Sequence, residues 1–341
     1  MVVACGNAHT GLSALYATPW SWEDASDDGF VSLPVQGLAA FNSSVASIAS
    51  DVQGGICRVI ACAEAHQAGN VFMGSFSESP DAIADAPLVG TYLTVGSRNA
   101  SGTCLADSSI HPATGMAALI GSSGVFVLDR HANVVNSHPK GSDKRDWPRC
   151  APCVGWLDAN TIMYGAHAFA LANSGGRYSV KLWDIRTPKG RVDRFRVRER
   201  LTGVFSPASH GSHATSDGHQ ILASTNHRIN LFDTRMPNTR MQDVPVLSFA
   251  HVHGGPRLHG AAKGNLVAAV DANNVVQLYS TRTGTKIRTM TTPEWRPGRL
   301  ESPVMRQLSW YDDHRVGLTL HAVRGNGVVR WAWSDADDEN E

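Results

Sequence analysis

Two short segments place an arginine two residues beyond an aromatic–aspartate pair: Trp183-Asp184-Ile185-Arg186 and Phe232-Asp233-Thr234-Arg235. An Asp at a strand end suits a turn, because its short side chain accepts hydrogen bonds from the backbone just ahead. The aromatic suits packing. Neither role requires the arginine. It falls past the strand, where a planar guanidinium fork fits carboxylates and backbone carbonyls of another protein. Arginine is also enriched where interfaces draw most of their energy. Tyr279-Ser280-Thr281-Arg282 sets a third arginine at the same place but changes both the Trp and the Asp. The expected partner-binding residues are therefore Trp183, Asp184, Arg186, Phe232, Asp233, Arg235 and Arg282, with the three arginines along one sector of one rim.

Other chemistry is weaker. Cys150-Ala-Pro-Cys153 has metal or redox spacing, but a structural zinc site needs four ligands and no second such pair exists; Cys57 and Cys62 are five apart. Buried thiols are the expectation. His210, His213 and His219 share one loop at uneven spacing. His251 and His253 would share one face of a strand, with no carboxylate in that stretch. Arg194, Arg196, Arg198 and Arg200 would line one strand face opposite Phe195 and Val197. Asp193 and Glu199 dilute that charge, so a solvated outer strand is expected before a phosphate-binding stripe. No Gly-x-Ser-x-Gly, no phosphate-binding Gly-x4-Gly-Lys-Ser/Thr and no His-Glu-x-x-His occurs. The chain reads as no enzyme, with no metal site and no cofactor.

The elements that hold these residues are short and repeated. Helical periodicity is almost absent; short β-type runs end in Gly, Asn, Asp or Pro. Tyr178–Arg186, His227–Arg235 and Asn274–Arg282 are copies of one run, a β-branched residue, a polar residue, Leu and an aromatic, aligned on Leu182, Leu231 and Leu278. Fainter copies are Asn70–Phe76, Gly124–Asp129 and Gly327–Trp333. A small-residue strand precedes each of the later runs: Met116–Ile120, Thr161–Tyr164, Ile221–Ser224, Leu266–Val270 and Val316–Leu320. Turns precede those, as in His111–Gly115 and Ala262–Asn265, and further back lie Val154–Trp156, Leu201–Phe205 and Gln307–Trp310. Each period of roughly 50 residues thus holds about four strands. Four short antiparallel strands cannot bury both faces alone, whereas radial stacking buries them and leaves only short edges.

This pattern resembles the WD-repeat family over residues 56 to 334, carried by Trp183-Asp184 and the small-residue strand before it. Phe232-Asp233 and Tyr279-Ser280 are variants, and Gly218-His219 lies in a different part of the repeat from the family's Gly-His. The fold expected is all-β: a single WD-repeat β-propeller of seven blades, six as the alternative, with four antiparallel strands per blade. It would span 1–334, with 1–55 a degenerate or partial blade, and an acidic disordered tail would follow at 335–341. A blade lacking its N-terminal part would need strand exchange between the chain ends. The tandem units also resemble the Trp-Asp-x-Arg boxes of substrate receptors for cullin-RING ubiquitin ligases. That resemblance implies that Arg186 and Arg235 contact the ligase adaptor, while the opposite face or the central channel reads a substrate. The alternative is a scaffold subunit of a stable assembly, for example in ribosome biogenesis or chromatin.

Composition sets the remaining bounds. Lys plus Arg and Asp plus Glu are 30 each across 341 residues, which disfavours nucleic acid as a partner. Apolar residues reach 42%, enough for a core. No apolar run is long enough for a membrane helix, and Met1–Leu12 has no basic leader pattern. Six cysteines are too few for a disulfide scaffold. Protein partners and a place in the nucleus or cytoplasm are the expectation.

Overall fold

The computed structural model describes residues 2–6, 13–17, 36–41, 43, 45–53, 55–63, 69–77, 89–95, 105–121, 124–139, 153–168, 177–187, 191–207, 219–236, 244–253, 255, 257–290, 305–313, 317–324 and 327–333. Every regular element among them is a β-strand. β1 (Val2–Gly6), β2 (Ser13–Ala17) and β3 (Gln36–Phe41) form a first, three-stranded sheet. The second sheet is β4 (Val45–Gln53), β5 (Ile56–Ala63), β6 (Gly69–Ser77) and β7 (Val89–Val95). The third is β8 (Leu105–Ile110), β9 (Ala117–Gly121), β10 (Gly124–Leu128) and β11 (Val134–Pro139). The fourth is β12 (Val154–Trp156), β13 (Thr161–Ala168), β14 (Arg177–Asp184) and β15 (Arg191–Val197). The fifth is β16 (Leu201–Phe205), β17 (Gln220–Thr225), β18 (Arg228–Asp233) and β19 (Leu247–Ala250). The sixth is β20 (Gly260–Lys263), β21 (Leu266–Val270), β22 (Val276–Ser280) and β23 (Lys286–Met290), and the seventh is β24 (Met305–Asp313), β25 (Gly317–Arg324) and β26 (Gly327–Ala332).

All pairings are antiparallel meanders. First strands of successive sheets touch one another and form the inner wall of a β-propeller; fourth strands are the outer edges. The six runs aligned in the sequence fall on β6, β10, β14, β18, β22 and β26, always the third strand. The expected small-residue strands are β9, β13, β17, β21 and β25, always the second. Turn chemistry matches as well. Gly115 and Gly264 sit at φ +67° and +55°, where a side chain would be strained, and the Gly115 amide donates to the His111 carbonyl at 2.9 Å.

Strand alternation divides each sheet into two apolar faces, and each face finds a partner in the next sheet. Val59 and Ala61 pack with Leu38 and Phe41 of the first sheet, while Ile60 and Cys62 pack with Leu119 and Leu128 of the third. The third meets the fourth through Ile120, Val127, Ile162 and Trp183. Met163, Val180, Ile221 and Phe232 join the fourth to the fifth. Leu222, Leu231, Val267 and Tyr279 join the fifth to the sixth, and Ala268, Leu278, Trp310 and Leu320 join the sixth to the seventh. Small residues let the sheets approach: on the inner strand β12, a Cβ on Gly155 would come within 3.3 Å of the Val204 carbonyl oxygen of the neighbouring sheet.

The expectation of seven four-stranded blades is corrected to six repeats, the second choice, running from β4 to β26. The sheet before them has three strands, and its third, Gln36–Phe41, lacks the Leu–aromatic–Asp/Ser ending. Leu15–Trp22, expected as a seventh run, contributes Leu15–Ala17 to the middle strand of that sheet; the rest lies outside the described residues. Among the described residues β1–β3 pair with one another and do not join β24–β26, so no exchange of strands between the chain ends is seen.

A polar clasp crosses the inner wall. Arg257, just before β20, donates to the carbonyls of Ala46 in β4 at 3.2 Å and Ala106 in β8 at 2.6 Å, and pairs with the Asp107 carboxylate. Asp107 also accepts from Ser47 Oγ at 3.1 Å and from the Val154 amide of β12 at 3.0 Å. Side-chain exposure is 29% for Arg257 and 12% for Asp107, so the pair is mostly shielded from water. Burial opposes the charge on Arg257, but Asp107 holds the guanidinium pKa above its ordinary value. Arg257→Ala strands a shielded carboxylate and is expected to lower the unfolding free energy by about 3 kcal/mol. Arg282→Ala, at an exposed turn, is expected to change it by less than about 0.5 kcal/mol. Urea unfolding followed by tryptophan fluorescence distinguishes the two.

Candidate functional site

The tandem motifs sit at the ends of β14 and β18, third strands of adjacent sheets. Alternation turns Trp183 and Phe232 inward, and both are buried. The Trp183 indole N–H donates to the Thr187 carbonyl at 3.2 Å, and Phe232 stacks on Phe195 with ring centroids 4.6 Å apart. These aromatics support the turns from beneath, with 1% and 2% of their surface exposed. The chain then leaves each strand through the same turn. The Ile185 amide donates to the Asn160 carbonyl at 2.9 Å, Thr234 to His219 at 2.7 Å and Thr281 to Asn265 at 2.8 Å.

Within that turn, each Asp gathers its own arginine. Asp184 Oδ1 accepts from the Arg186 backbone N–H at 3.0 Å and from Nε at 2.9 Å, and Oδ2 accepts from Nη2 at 2.6 Å. Asp233 repeats this with Arg235 at 2.9, 3.1 and 2.7 Å. A guanidinium carries five N–H donors, and each carboxylate takes two of them. Arg186 and Arg235 remain 67% and 57% exposed. The Arg186 fork and amide hold the Asp184 carboxyl below its ordinary pKa, and Arg235 does the same to Asp233 against the opposing effect of burial. Arg282 occupies the corresponding place on the sixth sheet. Its backbone N–H donates to Ser280 Oγ at 3.2 Å, and a hydroxyl offers no counter-charge.

A related turn follows β10: Asp129 Oδ1 accepts from the His131 backbone N–H at 2.8 Å, as Asp184 and Asp233 do from their arginines, but the turn closes as a tight hairpin, with the Asp129 amide donating to the Asn133 carbonyl at 2.9 Å. The signal was Leu128-Asp129-Arg130-His131, with Leu where Trp or Phe stands elsewhere. Four successive sheets therefore end their third strands in a turn with a basic residue two positions on: His131, Arg186, Arg235 and Arg282.

The remaining candidates serve the fold. The His251 ring bonds the Tyr279 hydroxyl at 2.9 Å and the Val270 carbonyl at 3.1 Å, and the His253 ring bonds Thr202 Oγ1 at 2.9 Å. Burial lowers both histidine pKa values and pushes Tyr279 up to about 12. Among the described residues no group of three or more His, Cys, Asp or Glu is placed to hold a metal. Cys57, Cys62 and Cys153 are buried and in no disulfide; Cys150, His210 and His213 lie outside the described residues. On β15, Phe195 is 6% and Val197 7% exposed while Arg196 is exposed; Arg198 and Arg200 lie past the end of the strand, exposed and half-buried respectively, and the Arg194 side chain lies outside the described residues. Among the described residues no helix is long and apolar enough to cross a membrane.

The architecture is that of a single β-propeller, which fits WD-repeat proteins at a coarse level and belongs to a fold commonly used as a protein-interaction platform. No protein-family model matches the chain, and no curated protein sequence is similar to it.

Two outcomes follow from the titration environment. Asp184 and Asp233 have folded pKa values below their unfolded ones. Their turn contacts are thus complete above the ordinary Asp value of about 3.9 and are lost as pH falls through the depressed values. A carboxyl ¹³C titration is expected to place both midpoints below that of a model Asp peptide, and Arg186→Ala to raise the Asp184 midpoint part of the way, since the backbone N–H of residue 186 remains, while leaving Asp233 unchanged. Burial pushes the Cys62 thiol up to about 12. It is therefore expected to stay unalkylated by iodoacetamide at neutral pH until the chain is unfolded, as read by peptide mass.

Proposed function

We propose that the protein is a non-catalytic protein-interaction platform that docks through the Asp184–Arg186 and Asp233–Arg235 turns, as a substrate receptor of a cullin-RING ubiquitin ligase docks on its adaptor. One observation carries this reading: two exposed guanidiniums on adjacent sheets are held in the same bidentate geometry by their own carboxylates. A free arginine side chain loses rotamer entropy when it enters an interface. An arginine already ordered by an intramolecular pair loses less, and it keeps donors for carbonyls or carboxylates of a partner. The resemblance to Trp-Asp-x-Arg boxes supplies the adaptor as the partner, and Arg282 adds an outlying contact. The substrate is read on a face of the propeller, since Arg257 occupies part of the axial channel. Such a receptor works in the nucleus or the cytoplasm.

The test is capture on immobilised cullin adaptor. Wild type is expected to bind. Arg186→Ala with Arg235→Ala is expected to weaken capture by at least about 30-fold, the effect of losing one interface residue worth about 2 kcal/mol. Arg282→Ala is expected to have a smaller effect. If wild type recovers no adaptor, or the double variant recovers it equally well, the receptor reading fails. Isolation in a fixed-stoichiometry complex free of ligase components would instead assign a scaffold subunit.

A further inference from the structure

A groove of about 550 Å³ lies between the outer strand of the fifth sheet and the sixth sheet. Phe249–Val252 line one wall; Gln277, Tyr279 and Lys286 line the other. Contacts between the two sheets close both ends. At one end the Ala272 amide donates to the Val252 carbonyl at 2.9 Å. At the other, Gly284 abuts Leu247, and a Cβ on Gly284 would come within 3.3 Å of that side chain. The polar atoms along the first wall are already engaged. The Tyr279 hydroxyl donates to the Ala250 carbonyl at 3.3 Å, and the two His251 ring nitrogens bond the Tyr279 hydroxyl and the Val270 carbonyl. No chain can thread a groove closed in this way, whereas its volume suits a small ligand.

Two opposite charges stand toward its two ends. Asp271 precedes Ala272, and Lys286 follows Gly284 by two residues. Asp271 accepts from the amides of Asn273 and Val275 at 2.8 and 3.0 Å and from Gln277 Nε2 at 2.8 Å. These donors are neutral, so they leave the carboxylate charge uncompensated, and they fill three of its roughly four lone-pair sites. Lys286 is exposed. Among the described residues neither group forms an ion pair, with the other or with anything else. Gln277 is bonded to Asp271, and Tyr279 is paired with Lys286 across β22 and β23. Those two residues are two apart on β22, about 7 Å along the strand.

We propose that this groove binds a short zwitterionic peptide, with its ammonium on Asp271, its carboxylate on Lys286 and its backbone over Gln277 and Tyr279. Two extended residues span about 7 Å, so a dipeptide sets its end charges at the spacing of the two wall charges. Charge-assisted hydrogen bonds at both ends are stronger than neutral ones, and a ligand with a single charge satisfies only one of them. The site uses neither arginine turn and does not rest on the docking reading.

The probe is glycyl-leucine, titrated into the full ¹⁵N-labelled chain with binding read from amide shifts. It is expected to saturate a single site and to shift amides within 249–252, 271–277 and 284–286. N-acetylglycyl-leucine and glycyl-leucinamide are each expected to bind at least tenfold more weakly. Leucine, whose two charges sit on one carbon, is expected to bind as weakly as they do. Lys286→Gln is expected to erase the preference for the free acid over the amide while keeping the preference for the free amine over the acetylated form. Asp271→Asn, which keeps an acceptor for the turn amides, is expected to do the reverse. Absence of saturable binding, equal binding of the blocked peptides, shifts confined to other parts of the chain, or loss of both preferences in Lys286→Gln would each overturn the proposal.

Discussion

A four-stranded sheet with side chains alternating between its faces has two apolar surfaces and can cover neither. That constraint organises the molecule. Val59 and Ile60 are neighbours in β5, yet they lie in different clusters, one facing the first sheet and the other the third. The same division recurs at Ile162 and Met163, at Ile221 and Leu222, and at Val267 and Ala268. A one-residue slip of register would exchange these faces and expose both sets at once. The turns and glycines between the strands therefore matter as much as the core residues, because they hold the register that the faces require.

Stacking of this kind couples only neighbours, as in other repeat folds. The Arg257 clasp adds something different. It joins residues 150 and 211 positions apart and ties the entrance of the sixth sheet to β4 and β8 across the inner wall. Asp107 extends the tie to β12 through the Val154 amide. One guanidinium thus ties the sixth sheet to the neighbouring second, third and fourth, a link across the ring that nearest-neighbour packing does not make.

What could be read from the sequence followed from what repeats. The Leu–aromatic runs landed on third strands and the small-residue stretches on second strands, because both are dictated by the local face alternation that a sequence shows directly. The blade count was less legible. The Gln36–Phe41 strand has no Leu–aromatic–Asp/Ser ending, so the first sheet left no countable signal. The site was half legible. Asp184 with Arg186 and Asp233 with Arg235 were visible as pairs, but their mutual chelation is a matter of turn geometry. Asp129 and His131 were masked by Leu128, whose type carries no motif even though Asp129 accepts from the backbone two residues on as Asp184 and Asp233 do. Arg257 was invisible: its partners lie in strands far away in the chain, and nothing near Gly255 marks them.

The same motif thereby performs two physical tasks that sequence similarity alone merges. Trp183 and Phe232 belong to the interior, where both are buried beneath the turns. Arg186 and Arg235 belong to the surface, where their carboxylates hold them in one conformation. The Tyr279 copy shows that the tasks are separable. Its ring stays buried and its hydroxyl meets His251, so the interior role is retained, while Ser280 cannot hold Arg282 by charge. Packing alone would select for the aromatic at all three turns and would be indifferent to the carboxylate. The carboxylate–arginine pair is present at two adjacent turns, where the carboxylate closes the turn on the backbone N–H and also orders a guanidinium that stays more than half exposed.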